Sequence, residues 1–262
     1  MIDLFTADLK GACRLPGCPA CRLGEEGGRR YLFSLLWEYI NDSGCRDKFL
    51  ASRGYCRAHA WQLFELERTE FGDTMGAGTL YLHLAQVAEE ELQARWNQAP
   101  EGRARRWRRP VRPSSPAPSP CVVCQTVDST EAFVCQHLAR EIAANNHLQA
   151  SYLESDGLCL RHLEQAAGPG GPGGRMLLED SLLRLHGLIG DLEAYQQSCV
   201  YPRSLDPKGL EGGSPERALR LLVGPPSFHG VAHAKTDSEG EPNQQRRQPH
   251  GSKQSQQGLD EP

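Results

Sequence analysis

Two short motifs, each present twice in the chain, contain the residues best suited to chemistry. A CxxC motif occurs at Cys18 and Cys21 and again at Cys121 and Cys124, and each is followed by a GxCxxH motif at 54–59 or 157–162. Thiolates and neutral imidazoles are ligands that zinc prefers, and a structural site needs four of them in a tetrahedron. The motifs supply enough ligands for two ions.

The motifs belong to an internal duplication. Shifting the sequence by 103 residues superimposes both motifs without a gap, with 34 residues between CxxC and CxxH in each copy. The repeated unit is 18–96, duplicated as 121–199. We therefore expect each repeat to bind its own zinc ion, the first through Cys18, Cys21, Cys56 and His59, and the second through Cys121, Cys124, Cys159 and His162.

Simple energetics favour such sites. Closing a loop of this length costs roughly 3 kcal/mol plus a constant, whereas a structural zinc site is associated with about 10 to 16 kcal/mol. Because the protein fills all four coordination positions, no position remains for an activated water, and the expected role is structural. No Ser-His-Asp combination or phosphate-binding loop stands out, so we expect no enzyme activity.

Two other thiol chemistries are compatible with parts of the pattern. Cys13, Cys18, Cys21 and Cys56 imitate the ligand spacing of a plant-type iron–sulfur cluster, but Pro116 replaces Cys13 in the second copy. The CxxC motifs also match redox dithiols, although the βαβ context of thioredoxin-like proteins is missing. Reversible oxidation of metal-bound thiolates stays open as a regulatory switch.

The elements that position these motifs are predicted to be helices, about four per repeat, in an all-α fold. Apolar residues follow helical spacing between the motifs: Leu32, Leu35, Leu36 and Tyr39 in the first repeat, and Cys135, Leu138, Ala139 and Ile142 in the second. Glycine before each CxxH predicts the end of a short helix, around 46–53 and 149–156, and the start of another. Glu38 and Glu141, in the first helix of each repeat, are candidates to accept a hydrogen bond from a ligand histidine.

A fourth helix is expected at 75–96 and 176–198. Its buried stripe in the second repeat is predicted to be Leu178, Leu182, Leu185, Ile189 and Leu192. The glycine-rich segment 168–174 before it reads as a flexible connector. The two repeats are expected to pack with approximate twofold symmetry.

Composition divides the chain into four parts. The predicted domains are a first zinc repeat at 13–99, an arginine- and proline-rich linker at 100–120, a second zinc repeat at 121–199 and a mostly disordered tail at 200–262. A short helix in SPERALRLLVG is expected to precede the most polar part of the tail.

Charge and cysteine use bear on the compartment. The net charge is -4, and the chain begins without the pattern of a secretory signal and has no apolar run that would span a membrane. We therefore expect a cytoplasmic protein, in which ten cysteines favour metal binding over a disulfide framework. The linker offers a nucleic-acid interaction as an alternative, through Arg103, Arg105, Arg106, Arg108, Arg109 and Arg112.

The motifs CPACRL, ASRGYCRAHAW and SDGLCLRHL resemble those of a bacterial family of unknown function with tandem CxxC and GxCxxH repeats in helices. The resemblance covers 13–199 and implies no activity. From the residues we expect a zinc-binding helical protein with a structural, protein-interaction or scaffolding role and an unidentified protein partner. A nucleic-acid-associated protein and a thiol-based redox sensor are the alternatives.

Overall fold

The described part of the chain consists of helices joined by short turns. The structure is a computed structural model that describes residues 4–98, 118–200 and 209–225. No strand occurs in these three ranges, which confirms the all-α class. The helices are α1 (Leu4–Cys13), α2 (Pro19–Ser34), α3 (Ser43–Ala51), α4 (Arg57–Glu70), α5 (Met75–Gln98), α6 (Val122–Glu141), α7 (Asn146–Leu153), α8 (Leu160–Ala167), α9 (Gly171–Ser198) and α10 (Ser214–Leu222).

Local sequence signals explain where the short helices begin and end. Side-chain oxygens of Asp42 and Asn145 accept hydrogen bonds from backbone amides at the starts of α3 and α7, as N-caps do. Gly54 and Gly157 have φ values of +87° and +79° and turn the chain after these helices. Both predicted short helices are therefore present, but each begins three residues and ends two to three residues earlier than expected.

The long helices that follow the two CxxC motifs, α2 and α6, pack against each other in an antiparallel manner. Gly24 lies against Glu131, whereas Gly28, one turn further along α2, lies against Val127, one turn earlier in α6. A Cβ at Gly24 would lie 2.5 Å from Glu131 Cγ, so the glycine makes room for this carboxylate side chain. The start of α2 consequently lies beside the second half of α6. A π-helical turn, Leu35–Tyr39, extends α2.

Each of the two apolar cores contains residues from both repeats. One core joins the start of α2 to α6, α7, α8 and α9, and the other joins the end of α2 to α3, α4, α5 and the start of α6. The first core includes Leu23 of the first repeat and Leu138 of the second, and the second core includes Leu32 of the first repeat and Val123 of the second. The predicted boundaries between the repeats stay predictions, but the repeats do not have separate cores.

The glycine-rich segment is ordered from residue 171 onward, so the expectation of a flexible connector is wrong for this part. Gly173 and Gly174 are buried in the first turn of α9. A Cβ at Gly173 would overlap the carbonyl oxygen of Ala139. Glycine here permits the backbones of α9 and α6 to touch, which is a packing role that composition alone does not reveal.

The predicted buried stripe of α9 is also wrong. Leu178, Leu182 and Ile189 are 43%, 64% and 54% exposed, whereas Leu177 is fully buried and Leu188 nearly so. The core residue Leu177 and the exposed Leu178 are neighbours in sequence, and helical spacing allowed either face to be chosen. The contacts with α6, α8 and α10 use the face that contains Leu177, Ser181 and Leu188.

This difference predicts unequal effects of alanine on stability. Leu177→Ala should lower the free energy of unfolding by about 2 to 5 kcal/mol, because it leaves a cavity in the core. Leu182→Ala should change it by no more than about 0.5 kcal/mol, since the side chain is largely exposed. Denaturant unfolding of the two matched variants checks the prediction, and equal losses would contradict this orientation of α9.

Candidate metal centres

The eight residues singled out by the motifs come together in two groups of four. Cluster 1 consists of Cys18, Cys21, Cys159 and His162, and cluster 2 of Cys56, His59, Cys121 and Cys124. Within each cluster all four candidate ligand atoms lie within 4.8 Å of one another. The expected grouping within each repeat is therefore wrong. Each CxxC motif faces the GxCxxH motif of the other repeat.

The direction and length of the helices explain this exchange. A helix of 20 residues, such as α6, carries the chain about 30 Å away from its CxxC motif. The short α7 that follows has 8 residues and spans only about 12 Å, so α8 begins near the far end of α6. Because α2 runs antiparallel to α6, its CxxC motif lies at that same end.

All four motifs have the same local geometry. The first cysteine of each is the N-cap residue of a helix, and none of these side chains is used to cap the backbone. The second ligand lies three residues later, within the first turn, on the same side of the helix. Cluster 1 is thus formed by the N-termini of α2 and α8, and cluster 2 by those of α4 and α6, where the helix dipoles favour thiolate.

The distances between ligand atoms fit a tetrahedral metal ion. Zinc–sulfur bonds of about 2.3 Å in a tetrahedron place two sulfurs about 3.8 Å apart. The Sγ atoms of Cys21 and Cys159 are 3.8 Å apart, and those of Cys56 and Cys124 are 3.7 Å apart. In both clusters the histidine Nδ1 faces the sulfurs, at 3.2 to 3.4 Å in cluster 1 and 3.2 to 3.7 Å in cluster 2. The two clusters can each hold a metal ion.

A carboxylate that the sequence analysis missed supports the histidine of cluster 1. Glu131 Oε2 lies 3.1 Å from His162 Nε2, and the Glu131 side chain is only 7% exposed. Such a carboxylate fixes the orientation of a ligand imidazole and increases its basicity. Glu131 replaces Gly28 of the first repeat, so comparison of the repeats could not find it. The candidates Glu38 and Glu141 are not in this position.

Removal of the Glu131 charge should weaken metal binding at cluster 1 alone. Glu131→Gln is expected to lower the affinity of that cluster about 10- to 100-fold. Asp128→Asn is the matched control, because Asp128 also pairs with Arg161 but is exposed. Competition with a chromophoric chelator, in a chain that carries Cys56→Ser so that only cluster 1 is titrated, measures both affinities. Equal losses for the two variants would show that Glu131 has no orienting role.

Protons are shared unequally among the ligands of cluster 1. Hydrogen bonds with Cys18 and Cys21 hold the pKa of Cys159 far below its usual range, and the contact with Cys159 raises the pKa of Cys21. Burial opposes the protonated form of His162, but hydrogen bonds with Cys159, Cys18 and Glu131 raise its pKa to about 12. Without a cation, one charged sulfur is thus stabilised by protonated neighbours, and a bound metal would displace their protons.

Protons are shared unequally among the cysteines of cluster 2 as well. Burial raises the pKa of Cys124 to about 12, together with the charge of the neighbouring Cys121. Burial also acts to raise the pKa of Cys121, but hydrogen bonds with His59 and with nearby backbone amides lower it to about 6. One thiolate is therefore available at neutral pH to begin metal binding.

The remaining sequence predictions have different outcomes. The iron–sulfur set of Cys13, Cys18, Cys21 and Cys56 is not assembled, because Cys56 belongs to cluster 2. Cys13 and Cys135 are buried beside cluster 1 without joining it. The six arginines from Arg103 to Arg112 lie outside the described residues, so the nucleic-acid alternative stays a prediction. No helix in the described ranges is long and apolar enough to cross a membrane.

A model of a protein family of unknown function, DUF6062, matches residues 5–168. The chain belongs to the DUF6062 family. Searches of curated proteins and of solved structures found no match. The part of this DUF6062 chain that matches the family contains all eight cluster residues and Glu131, whereas α9 and α10 lie beyond it. The matched region ends shortly after α8, the helix that supplies His162.

Proposed function

We propose that this protein is a zinc-stabilised helical module with a structural, protein-interaction role and no catalytic activity. The observation that carries the proposal is the closed set of ligands in both clusters. Each has three cysteines and one histidine at tetrahedral spacing, a donor set typical of structural zinc. With four protein ligands, a bound ion has no free position for water or substrate.

The position of the clusters supports a structural role. Each cluster joins the N-terminus of a helix from one repeat to the N-terminus of a helix from the other. A metal ion would supply folding free energy by holding together parts of the chain about 140 residues apart in cluster 1, as in Cys21 and Cys159. Zinc would provide this link without redox chemistry of its own.

Exposed apolar side chains support the interaction role. Trp37 is 68% exposed and its ring lies 6.4 Å from that of Phe33 and 6.0 Å from that of Phe71. A contiguous exposed patch of aromatic rings is a feature of surfaces that bind other proteins. Trp37→Ala should abolish co-purification of a native protein partner while the metal content stays unchanged.

Elemental analysis of the full chain tests the metal assignment. Protein purified without added metal should contain about two zinc ions per chain and show no absorption band above about 300 nm. If the protein instead contains iron and sulfide and absorbs visible light, the clusters hold an iron–sulfur centre and the zinc assignment is wrong. A metal-free protein with the same helix content would refute the proposal.

A further inference from the structure

The last helix of the described residues, α10, lies next to cluster 1. The buried Ser214, at the start of α10, donates a hydrogen bond to the carbonyl oxygen of Asp191 in α9. One turn later Arg217 forms an ion pair with the Asp191 carboxylate at 2.6 Å. These contacts attach α10 to the helix that packs against α6 and α8, the two helices that carry Glu131 and His162.

The turn that follows α10 lies directly over the sulfurs. Gly224 has a φ of +106° and donates its N–H to Leu219 O at 3.1 Å, which ends the helix. A Cβ at Gly224 would lie 3.5 Å from Cys21 Sγ and 3.8 Å from Cys159 Sγ. The turn therefore lies over this side of the two sulfurs at a distance that a single added carbon would fill.

The next residue extends this contact. Pro225 packs against Gly17, the residue before Cys18, because a Cβ on that glycine would lie 3.6 Å from Pro225 Cβ. The turn after α10 thus spans from the loop before α2 to the cysteine that begins α8.

Helix α10 is loosely packed against the rest of the protein. A cavity of about 280 Å³ lies between α9, α10 and cluster 1, and its lining includes Cys18, Leu188 and Leu221. Ser214 is the one buried residue of α10. A segment with few buried apolar contacts opens at a small free-energy cost, so α10 can leave the cluster without unfolding the core.

The ligands of the two clusters differ in burial. In cluster 1 three ligands are buried and only Cys21 is half-buried, whereas in cluster 2 only His59 is buried and the three cysteines are half-buried. Exchange of a bound metal requires a competing ligand to approach the ion or its sulfurs. The turn after α10 would slow the approach of a competing ligand to cluster 1.

We propose that residues 209–225 form a displaceable cover that controls access to cluster 1, so that the two clusters exchange metal at different rates. The predicted difference in metal exchange rests on the proposed metal-binding function. The positions of Gly224 beside the sulfurs of Cys21 and Cys159 and of Pro225 beside Gly17 also predict protection of the thiols themselves, whatever the metal content.

Three chains test the cover: the full chain, a chain that ends at residue 225 and a chain that ends at residue 208. Excess chelator should remove metal from the first two in a fast and a slow phase that differ at least about tenfold in rate, and from the third in a fast phase alone. Cys56→Ser, which disables cluster 2, should remove the fast phase. An unchanged slow phase in the chain that ends at 208 would overturn the proposal.

Point variants keep the test independent of truncation. Arg217→Ala breaks the ion pair with α9 and should accelerate the slow phase about 2- to 5-fold, the range for an exposed ion pair of up to ~1 kcal/mol. Arg220→Ala is the matched control, because Arg220 pairs with Glu216 of the same helix. Equal rates for the two variants would contradict anchoring of the cover by Arg217.

Alkylation of Cys21, followed by mass spectrometry, separates this proposal from the proposed function. The chain that ends at 208 should be alkylated at Cys21 at least about tenfold faster than the chain that ends at 225, with Cys124 as the internal reference. A metal-free protein with this difference would refute zinc binding and retain the cover. Equal alkylation would refute the cover and leave zinc binding intact.

Discussion

A chain with Cys21→Ser and Cys159→Ser should retain about one metal ion, and a chain with Cys21→Ser and Cys56→Ser should retain none. The first pair removes two ligands from cluster 1, whereas the second removes one ligand from each cluster. Both variants lose one CxxC cysteine and one GxCxxH cysteine, so they are matched in composition and motif. Native mass spectrometry counts the ions.

Grouping within each repeat would give the opposite results. Cys21 and Cys56 belong to one repeat, so their joint loss would leave the other repeat with its ion. Cys21 and Cys159 belong to different repeats, so their joint loss would remove both ions. The two arrangements therefore predict opposite metal counts for the two double variants, and the counts distinguish the crossed clusters from the arrangement expected from sequence.

Removal of both metal ions should unfold the whole chain, whereas loss of one ion should lower its stability and leave it folded around the other cluster. A structural zinc ion is associated with about 10 to 16 kcal/mol, whereas the net stability of a protein is about 5 to 15 kcal/mol. Because each cluster joins both repeats, disabling cluster 2 alone with Cys124→Ser should destabilise both repeats together. Hydrogen exchange should show a similar loss of protection in α4 and in α8.

A control variant and a contradicting result make the hydrogen-exchange experiment specific for the link between the repeats. Cys199→Ser is the control, because Cys199 is exposed and belongs to neither cluster; its protection pattern should match that of the unaltered chain. If Cys124→Ser unfolded α6, α7 and α8 while α2, α3 and α4 kept full protection, the repeats would be independent folding units, contrary to their shared cores.

Local features of the fold could be read from the sequence because their causes are local. Glycines at 54 and 157 predict the ends of α3 and α7, and apolar spacing predicts the helices between the motifs. The short helix in SPERALRLLVG is confirmed as α10. The orientation of α9 could not be read in this way, because adjacent leucines at 177 and 178 offered two apolar faces and only contact with other helices selects one.

The grouping of the ligands was mispredicted for a physical reason. The loop-closure cost assumes that the 34 residues between the motifs are flexible, whereas their apolar spacing predicts a helix. A helix of 20 residues is stiff and about 30 Å long, so it separates its own CxxC motif from the CxxH that follows. A helix that fills most of the interval between the motifs is therefore a sequence signal for the crossed arrangement.

The sequence by itself determined which eight side chains form the clusters, since a duplicated pattern of motifs at helix N-termini specifies ligand type and local direction. Only the tertiary structure decided which motifs meet, that Glu131 supports His162, and that α10 lies over one cluster. These relations depend on the antiparallel packing of α2 and α6 and on contacts between residues far apart in the chain. Local spacing contains no information about such distances.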